Sequence, residues 1–292
     1  MYYFSAGSAD TLYKDVMSTI LKKGQVTHPR GFTCLELSPC VTELWNPQAN
    51  IITNPIRKIN KGFAAAELLW MLSGRNDVEF VNFYNSNMAK FSDNGITFFG
   101  AYGPKIMEQL PYLEKVLKGD EWTRQGVLNI WRECPPETKD VPCTVMMQFI
   151  RRPVDILNLY VTMRSQDIWL GFPYDIHNFS SILLIMSSIL GLTPGRLIIN
   201  QGSMHAYKEN FVDMEKAIVN TEIDFEITPK STCGSVEALV VWGPIITEAN
   251  EIFMVGDLPK YTPDYLNEKV KDPLLQQKLT WMFEFAQRKR TK

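Results

Sequence analysis

Two eight-residue runs, TVMMQFIR (Thr144–Arg151) and ILNLYVTM (Ile156–Met163), are apolar enough and short enough to read as strands. In the second, Leu157, Leu159, Val161 and Met163 alternate onto one face, so that face belongs on a core. Arg152-Pro153 between the runs fits a hairpin-like turn. The segment MRSQDIWLGFPYDIHNF (Met163–Phe179) follows, and from Ile176 the spacing of Phe179, Leu183, Met186 and Leu190 predicts a core helix ending at Gly191. Two strands followed by a buried helix exclude an all-α chain and require a sheet with a helix packed on it.

The rest of the chain fits that frame. Ala9–Lys23 has Leu12, Val16, Ile20 and Leu21 at helical spacing and stops at Gly24, which reads as a C-cap. QVTHPRGFTCLEL reads as a loop carrying Arg30. GFAAAELLWML (Gly62–Leu72) reads as a buried helix ending at Ser73-Gly74, with VEFVNFYNSN continuing helically and Asn94–Gly103 as a Gly-rich, aromatic connection. Gly195–Asn200 reads as a short strand, and Phe225–Ile227, Ala238–Val241 and Ile252–Val255 are further strand candidates. Asp272-Pro273 is an N-cap and first-turn pair, so Pro273–Arg290 is predicted as a charged surface helix. No repeat, low-complexity tract or Ser/Gly linker interrupts the 292 residues, which favours one α/β domain with a mixed sheet over residues 1–292.

Charge and cysteine content narrow the function classes. The 30 basic and 32 acidic side chains leave a net charge of −2, so no global field draws the chain to nucleic acid or an anionic membrane, although a local phosphate pocket is compatible with it. The five cysteines are odd in number, lack a CxxC pair and are accompanied by three histidines, which argues against a zinc cage or a disulfide framework. MYYFSAGSADTLYKD lacks a basic region followed by an apolar one, and no apolar run reaches the ~18 residues of a membrane span. The expectation is a reducing, cytoplasmic setting, or the host cytoplasm for a viral protein.

Local reading leaves each chemical candidate with two explanations. Cys143 follows Pro142 where a strand begins, so its thiol either projects into a cleft or fills the core as a small hydrophobe; Cys134 has the same ambiguity. Arg164-Ser165 offers a guanidinium fork and a hydroxyl suited to phosphate, or a solvated pair, and Arg30 and Arg124 are equally open. Asp175, just before Ile176, is an N-cap for the helix or a ligand-reading carboxylate. His205 and Tyr207 in GSMHAYKENF bind a ligand hydroxyl or satisfy the core.

Taken in order, these segments resemble the thymidylate synthase superfamily from about Tyr13 to Phe211. The resemblance implies a thymidylate-synthase-like α/β fold: a mixed β-sheet with helices packed on one side, the other sheet face being used for dimerisation. It also implies roles, carried over motif by motif. Arg30 in HPRGF is similar to a phosphate-binding Arg, and Glu67 in AELLW to the Glu that organises water and proton transfer over the pyrimidine. Arg124 in TRQGV is similar to the first of two arginines that one subunit lends to the other's phosphate site; the second position is Gln125, which weakens or rearranges that clamp. Cys143 corresponds to the nucleophile, Gln148 to the strand Gln behind it, and Arg164 with Ser165 to the phosphate grip. Asp167 corresponds to the folate-contacting Asp, while His205 and Tyr207 correspond to the pair that holds the 3′-hydroxyl.

Two departures set the expected substrate. Thr144 stands where most thymidylate synthases have His, and Asp175 where they have an Asn that reads uracil; both resemble the deoxycytidylate and cytidylate hydroxymethylases. A carboxylate accepts from the cytosine amino group, and a proton shared with N3 makes C6 easier for a thiolate to attack. The implied activity is transfer of a one-carbon unit from 5,10-methylenetetrahydrofolate to C5 of dCMP or CMP. Water addition then gives the 5-hydroxymethyl nucleotide, in a metal-free homodimer. The basic ending QRKRTK in place of an apolar tail suits a reaction that admits water. An atypical thymidylate synthase acting on dUMP and a non-catalytic nucleotide- or RNA-binding homologue are the competing expectations.

Overall fold

β1 (Tyr2–Ala6) runs parallel to β4 (Cys40–Leu44), and β4 pairs antiparallel with β9 (Thr193–Gln201). β9 lies parallel to β7 (Ile156–Met163), which pairs antiparallel with β6 (Thr144–Arg151). The sheet is therefore mixed, and both strands predicted from the opening runs have their expected bounds. The structure, a computed structural model, describes residues 1–131, 134–152, 155–220, 224, 226–256, 265 and 268–291. Pro153, half of the predicted turn, lies outside the described residues. A second, smaller sheet has the order β2 (Gln25–Thr27), β3 (Cys34–Leu37), β10 (Met204–Tyr207), β8 (Gln166–Asp167).

The chain divides into two compact units. The first comprises Met1–Ile59, Cys143–Leu184 and Thr193–Thr228, and holds these strands. On β7 and β9 the alternation decides the faces: Leu157, Leu159, Val161, Met163, Leu197 and Ile199 are buried, while Asn158, Tyr160, Thr162, Ile198 and Asn200 point the other way with partial or full exposure. α1 (Ala9–Lys23) is capped by Ser8 and packs on this unit with α6 (Phe211–Val219). Gly24 ends α1 without a left-handed turn. A Cβ there would stand 2.5 Å from the Ile20 carbonyl oxygen and 2.9 Å from Leu35 Cβ, so close approach, not backbone sign, requires glycine.

On β4, Glu43 accepts hydrogen bonds from Tyr3, Ser5 and Arg196 Nη1, the last at 2.7 Å. Burial alone would raise its pKa, but these donors outweigh that and hold it down at about 2. A depressed carboxylate stabilises the fold fully above its ordinary value and loses that contribution as pH falls towards the folded value. Glu43→Gln is therefore expected to lower the urea midpoint at pH 7, with the gap to the parent protein closing between about pH 4 and pH 2. A gap independent of pH would show that the charge contributes nothing.

The second unit comprises Asn60–Pro142, Ile185–Leu192 and Pro229–Lys292. α2 (Lys61–Leu72) is capped by Asn60 and is buried along most of its length, Glu67 being one of the few residues that reach partial exposure. VEFVNFYNSN is helical as expected over Val78–Tyr84, as a separate helix, α3, that Asp77 starts by accepting from Phe80 N. α4 (Gly103–Gly119) has no counterpart in the sequence reading; its Gln109 amide pairs with both backbone groups of Asn129 on β5 (Val127–Asn129). Two strand candidates are overturned. Ala238–Val241 falls on α7 (Val236–Val240) and its end, and Ile252–Val255 falls on the last turn of α8 (Trp242–Val255). Trp242, Ile246, Ala249 and Phe253 share one buried face of α8, a helical spacing that outweighs β-branched content. Glu226 and Ile227 form no strand, and Phe225 lies outside the described residues. Val236–Val255 has the length and hydropathy of a membrane span, but it is two helices, and α8 packs on α2.

Nor is Pro273–Arg290, α9, a surface helix. Leu274, Leu275, Leu279, Trp281, Met282 and Ala286 bury one face, and Gly62 on α2 lets Phe285 approach so closely that a Cβ would lie 2.4 Å from Phe285 Cβ. Its basic end is docked: Lys289 Nζ donates to the Phe83 carbonyl at 2.7 Å, and Arg290 Nη2 donates to the Met254 carbonyl at 3.1 Å. Both acceptors lie near helix C-termini, where cations are favoured. Asp272 caps α9 through Leu275 N at 2.9 Å and also accepts from Ser231 Oγ and Thr232 N, each at 2.6 Å. Asp272→Ala is expected to cost about 2–3 kcal/mol, combining a lost cap with a buried hydroxyl left unpaired. Urea titration checks it, and a loss below 1 kcal/mol would deny the cap this role.

Candidate active site

The strand ends bring the chemistry together. Thr144 pairs with Met163, so Cys143 and Arg164 are neighbours just beyond β6 and β7, and Arg164 N donates to the Cys143 carbonyl at 2.9 Å. β9 ends beside them with Gln201 opposite Met163, and Gly202 N donates to the Met163 carbonyl at 2.9 Å. A Cβ at Gly202 would stand 3.0 Å from the Arg164 carbonyl oxygen, which keeps this position small. The chain then crosses to the second sheet, where Gln166 pairs with Met204 and Asp167 with His205. β3 lies on the other side of β10, setting Glu36 opposite His205 and Cys34 opposite Tyr207.

Arg30 occupies the turn between β2 and β3, in a left-handed conformation (φ 52°) that follows Pro29, and it is exposed. That turn lies beside β10: Lys208 N donates to the Thr33 carbonyl, and the Phe32 and Tyr207 rings meet edge to face at 6.0 Å. His205 and Tyr207 are also edge to face, at 5.2 Å. Arg30, Cys143, Arg164, Ser165, Asp167, Asp175, His205 and Tyr207 thus share the strand ends and connections of the first unit. Two guanidinium groups, an accessible thiol, carboxylates and a ring nitrogen suit a phosphorylated substrate attacked by sulfur.

The cysteines separate by environment. Burial pushes the Cys40 thiol up to about 12, the Cys233 thiol up to about 11 and the Cys34 thiol upward too, so these three stay protonated. Cys143 is only half-buried, and it stands at a strand end beside the exposed Arg164.

Asp167 Oδ1 accepts from Trp169 N at 2.8 Å and Leu170 N at 3.1 Å, which shapes the turn into α5 (Phe172–Leu190). Burial raises the Asp167 pKa, opposed by those donors and by His205, while burial lowers that of His205, opposed by Asp167. Both groups are pushed towards neutrality. The helix begins four residues earlier than the periodicity predicts, since Pro173 needs no N–H partner in a first turn. Asp175 is therefore inside the first turn and not its N-cap. Its own N–H donates to the Gly171 carbonyl at 3.0 Å, and Oδ2 accepts from Gln166 Nε2 at 3.1 Å. Water reaches part of the residue, but protein surrounds the carboxyl; desolvation, with Asp167 nearby, outweighs the Gln166 bond and raises its pKa to about 6.

Three predicted residues stand apart from this group. Gln148 lies five residues along β6 from Cys143, roughly 17 Å at strand rise, and Phe149 and Met147 beside it take the buried face. Glu67 on α2 and the exposed Arg124, ahead of β5, belong to the second unit. Sequence reasoning also missed members of the site. Arg57 Nε donates to the Trp169 carbonyl at 2.6 Å, with its guanidinium 5.6 Å from the Trp169 and Tyr174 rings. Gln166 and Gln201 are buried and touch each other. Gln201 was detectable, because strand alternation places it on the same face as Leu197 and Ile199, where an amide is out of place.

Comparisons with known proteins give the family. The thymidylate synthase family model matches residues 11–232. A deoxyuridylate hydroxymethyltransferase of Bacillus phage SP01 is 31% identical over 97% of this chain and 78% of its own length. Another protein so named, from Pseudomonas phage M6, is 32% identical over 59% of this chain and 51% of its own length. The chain belongs to the thymidylate synthase family, whose members transfer a one-carbon unit from methylenetetrahydrofolate to a pyrimidine nucleotide.

Proposed function

We propose that this enzyme hydroxymethylates C5 of a pyrimidine deoxynucleoside monophosphate, with deoxyuridylate the preferred substrate. The Cys143 thiolate adds to C6, which leaves C5 nucleophilic, and C5 bonds to the one-carbon unit of 5,10-methylenetetrahydrofolate. Loss of the C5 proton and departure of tetrahydrofolate leave an exocyclic methylene. Water adds to that carbon and the thiolate leaves, so no hydride is consumed and no dihydrofolate forms. Arg30, Arg164 and Ser165 hold the phosphate, Gln148 backs the nucleophile's strand, His205 and Tyr207 take the 3′-hydroxyl, and Asp167 faces the folate. Glu67 moves protons over the base. Arg124 serves the phosphate of a second copy, docked through the uncovered sheet face around Tyr160 and Ile198. The protein acts in the cytoplasm, as a single catalytic domain without a metal.

The base assignment is carried by Asp175, whose buried carboxyl is held above the ordinary aspartate range, so its neutral form is more accessible than that of a solvated aspartate. A neutral acid can accept from the N3–H of uracil as an Asn does. Both phage relatives are named for deoxyuridylate, which points the same way. The cytidylate reading is the second one: ionised, Asp175 accepts from the N4 amino group of cytosine. Incubation with methylenetetrahydrofolate and dUMP, dCMP or CMP, followed by product mass and dihydrofolate assay, decides between them. A methyl product with dihydrofolate would replace the hydroxymethylase reading with a thymidylate synthase. Product from cytidylate alone would establish the second.

A further inference from the structure

Gln201 ends β9 with its amide buried between the two sheets' connecting strands. Two orientations of that amide fill the same space. In one, Nε2 donates to Thr42 Oγ1 and Gln166 Oε1, both at 2.9 Å. Its oxygen then meets the carbonyl oxygens of Cys40 and Ile199 at 2.9 and 3.0 Å, with no hydrogen between acceptors. In the other, Nε2 donates to both carbonyls, and Oε1 accepts from Thr42 Oγ1 and turns its second lone pair to Gln166. This second orientation satisfies every polar atom of Gln201, provided Gln166 turns its amide over as well. Gln166 Nε2 then donates to Gln201, which leaves Gln166 Oε1 against Asp175 Oδ2 at 3.1 Å. Two oxygens at that distance need a proton between them.

We propose that Gln201 and Gln166 are positioning residues that hold Asp175 as the neutral acid, its proton directed into the protein from Oδ2 and its carbonyl oxygen Oδ1 left for the base. The proposal rests on the reading of Asp175 as the base-reading residue and extends it to what sets that residue's protonation. The surroundings are consistent. Asp167 on β8 is a carboxylate whose charge opposes ionisation of Asp175, and Arg57 is engaged with Trp169 and Tyr174. His205, on β10, faces Asp167. Gly171 carries no side chain, and a Cβ there would already be 3.5 Å from Oδ2. A neutral carbonyl opposite position 3 of the pyrimidine accepts the N–H of uracil, but meets the bare lone pair of cytosine N3. The two amides thereby bias the enzyme towards uridylate through Asp175.

The test is a titration of the Asp175 carboxyl by carbon-13 NMR in the nucleotide-free 292-residue chain, the signal being assigned by its absence in Asp175→Asn. The parent protein is expected to titrate well above the ordinary aspartate value of 3.8. Gln201→Leu and the near-isosteric Gln201→Met each free Gln166 to donate to an ionised Asp175, so its pKa is expected to fall by about one unit or more. The ratio of uridylate to cytidylate turnover is expected to fall about tenfold in the same variants. A parent value at or below 3.8 would overturn the proposal, and so would a value that neither folded variant lowers. Failure of the parent enzyme to act on either nucleotide would overturn the functional reading instead, leaving the titration result standing.

Discussion

Cys143→Ala is expected to abolish turnover, by a factor on the order of 10⁴ or more, while nucleotide affinity changes less than about threefold. The thiol supplies the only covalent bond that the reading makes between enzyme and base, and a neighbouring arginine cannot replace it. The phosphate contacts assigned to Arg30, Arg164 and Ser165 are independent of the sulfur, so calorimetric binding of dUMP should survive. Exchange of the C5 hydrogen with solvent reports the addition step without folate and should vanish too. A Cys143→Ala protein that still exchanges that hydrogen would show that Cys143 is a core filler, as its residue type alone suggests. A parent protein that exchanges it with no pyrimidine nucleotide would favour a binding homologue.

The second large effect concerns Asp175. Asp175→Ala is expected to lose about tenfold to a hundredfold in kcat/KM, because the base edge is left without its partner. Asp175→Asn should retain uridylate turnover within about threefold and lose cytidylate turnover by a similar tenfold to hundredfold. In the parent protein the preference for uridylate over cytidylate should fall as pH rises through the raised Asp175 pKa, since the neutral form reads uracil and the ionised form reads an amino group. In Asp175→Asn that preference should be flat with pH. A preference in the parent protein that ignores pH would separate Asp175 from base choice. Stability has its own sign: a carboxyl whose folded pKa is raised weakens the fold as pH rises through it, so Asp175→Asn should gain on the parent in urea above pH 6.

How much of this was legible depended on what each residue's neighbours in sequence could report. β6 and β7 could be read to the residue because alternation fixes both strand and face. α7 and α8 could not be read from short β-branched runs such as ALVV, since a buried helix and a buried strand look alike over four residues. The burial of α9 shows the same difficulty from the other side: the basic run Arg288-Lys289-Arg290 reads as solvated, while Leu275, Leu279, Met282 and Ala286 make a face that only a partner helix explains. At the site, Cys143, Arg164, Asp167 and Asp175 were visible as residues of the right type at strand and helix ends. Their meeting was not, because it depends on the register that sets Thr144 against Met163 and Asp167 against His205. The protonation of Asp175 was further out of reach, being decided by amides that no local pattern connects to it.

The interleaving of the two units has a consequence for biogenesis. The first unit needs residues up to Thr228, and the second needs helix α9 near residue 290, so neither has all its segments until most of the chain has left the ribosome. The parallel pairs β1–β4 and β7–β9 also join strands whose ends can meet only after intervening segments are placed. Neither unit can be completed from the first half of the chain, and contacts distant in sequence dominate its assembly. During synthesis the apolar faces of β7 and α5 must wait uncovered, which makes slow translation or early truncation a direct route to aggregated chain.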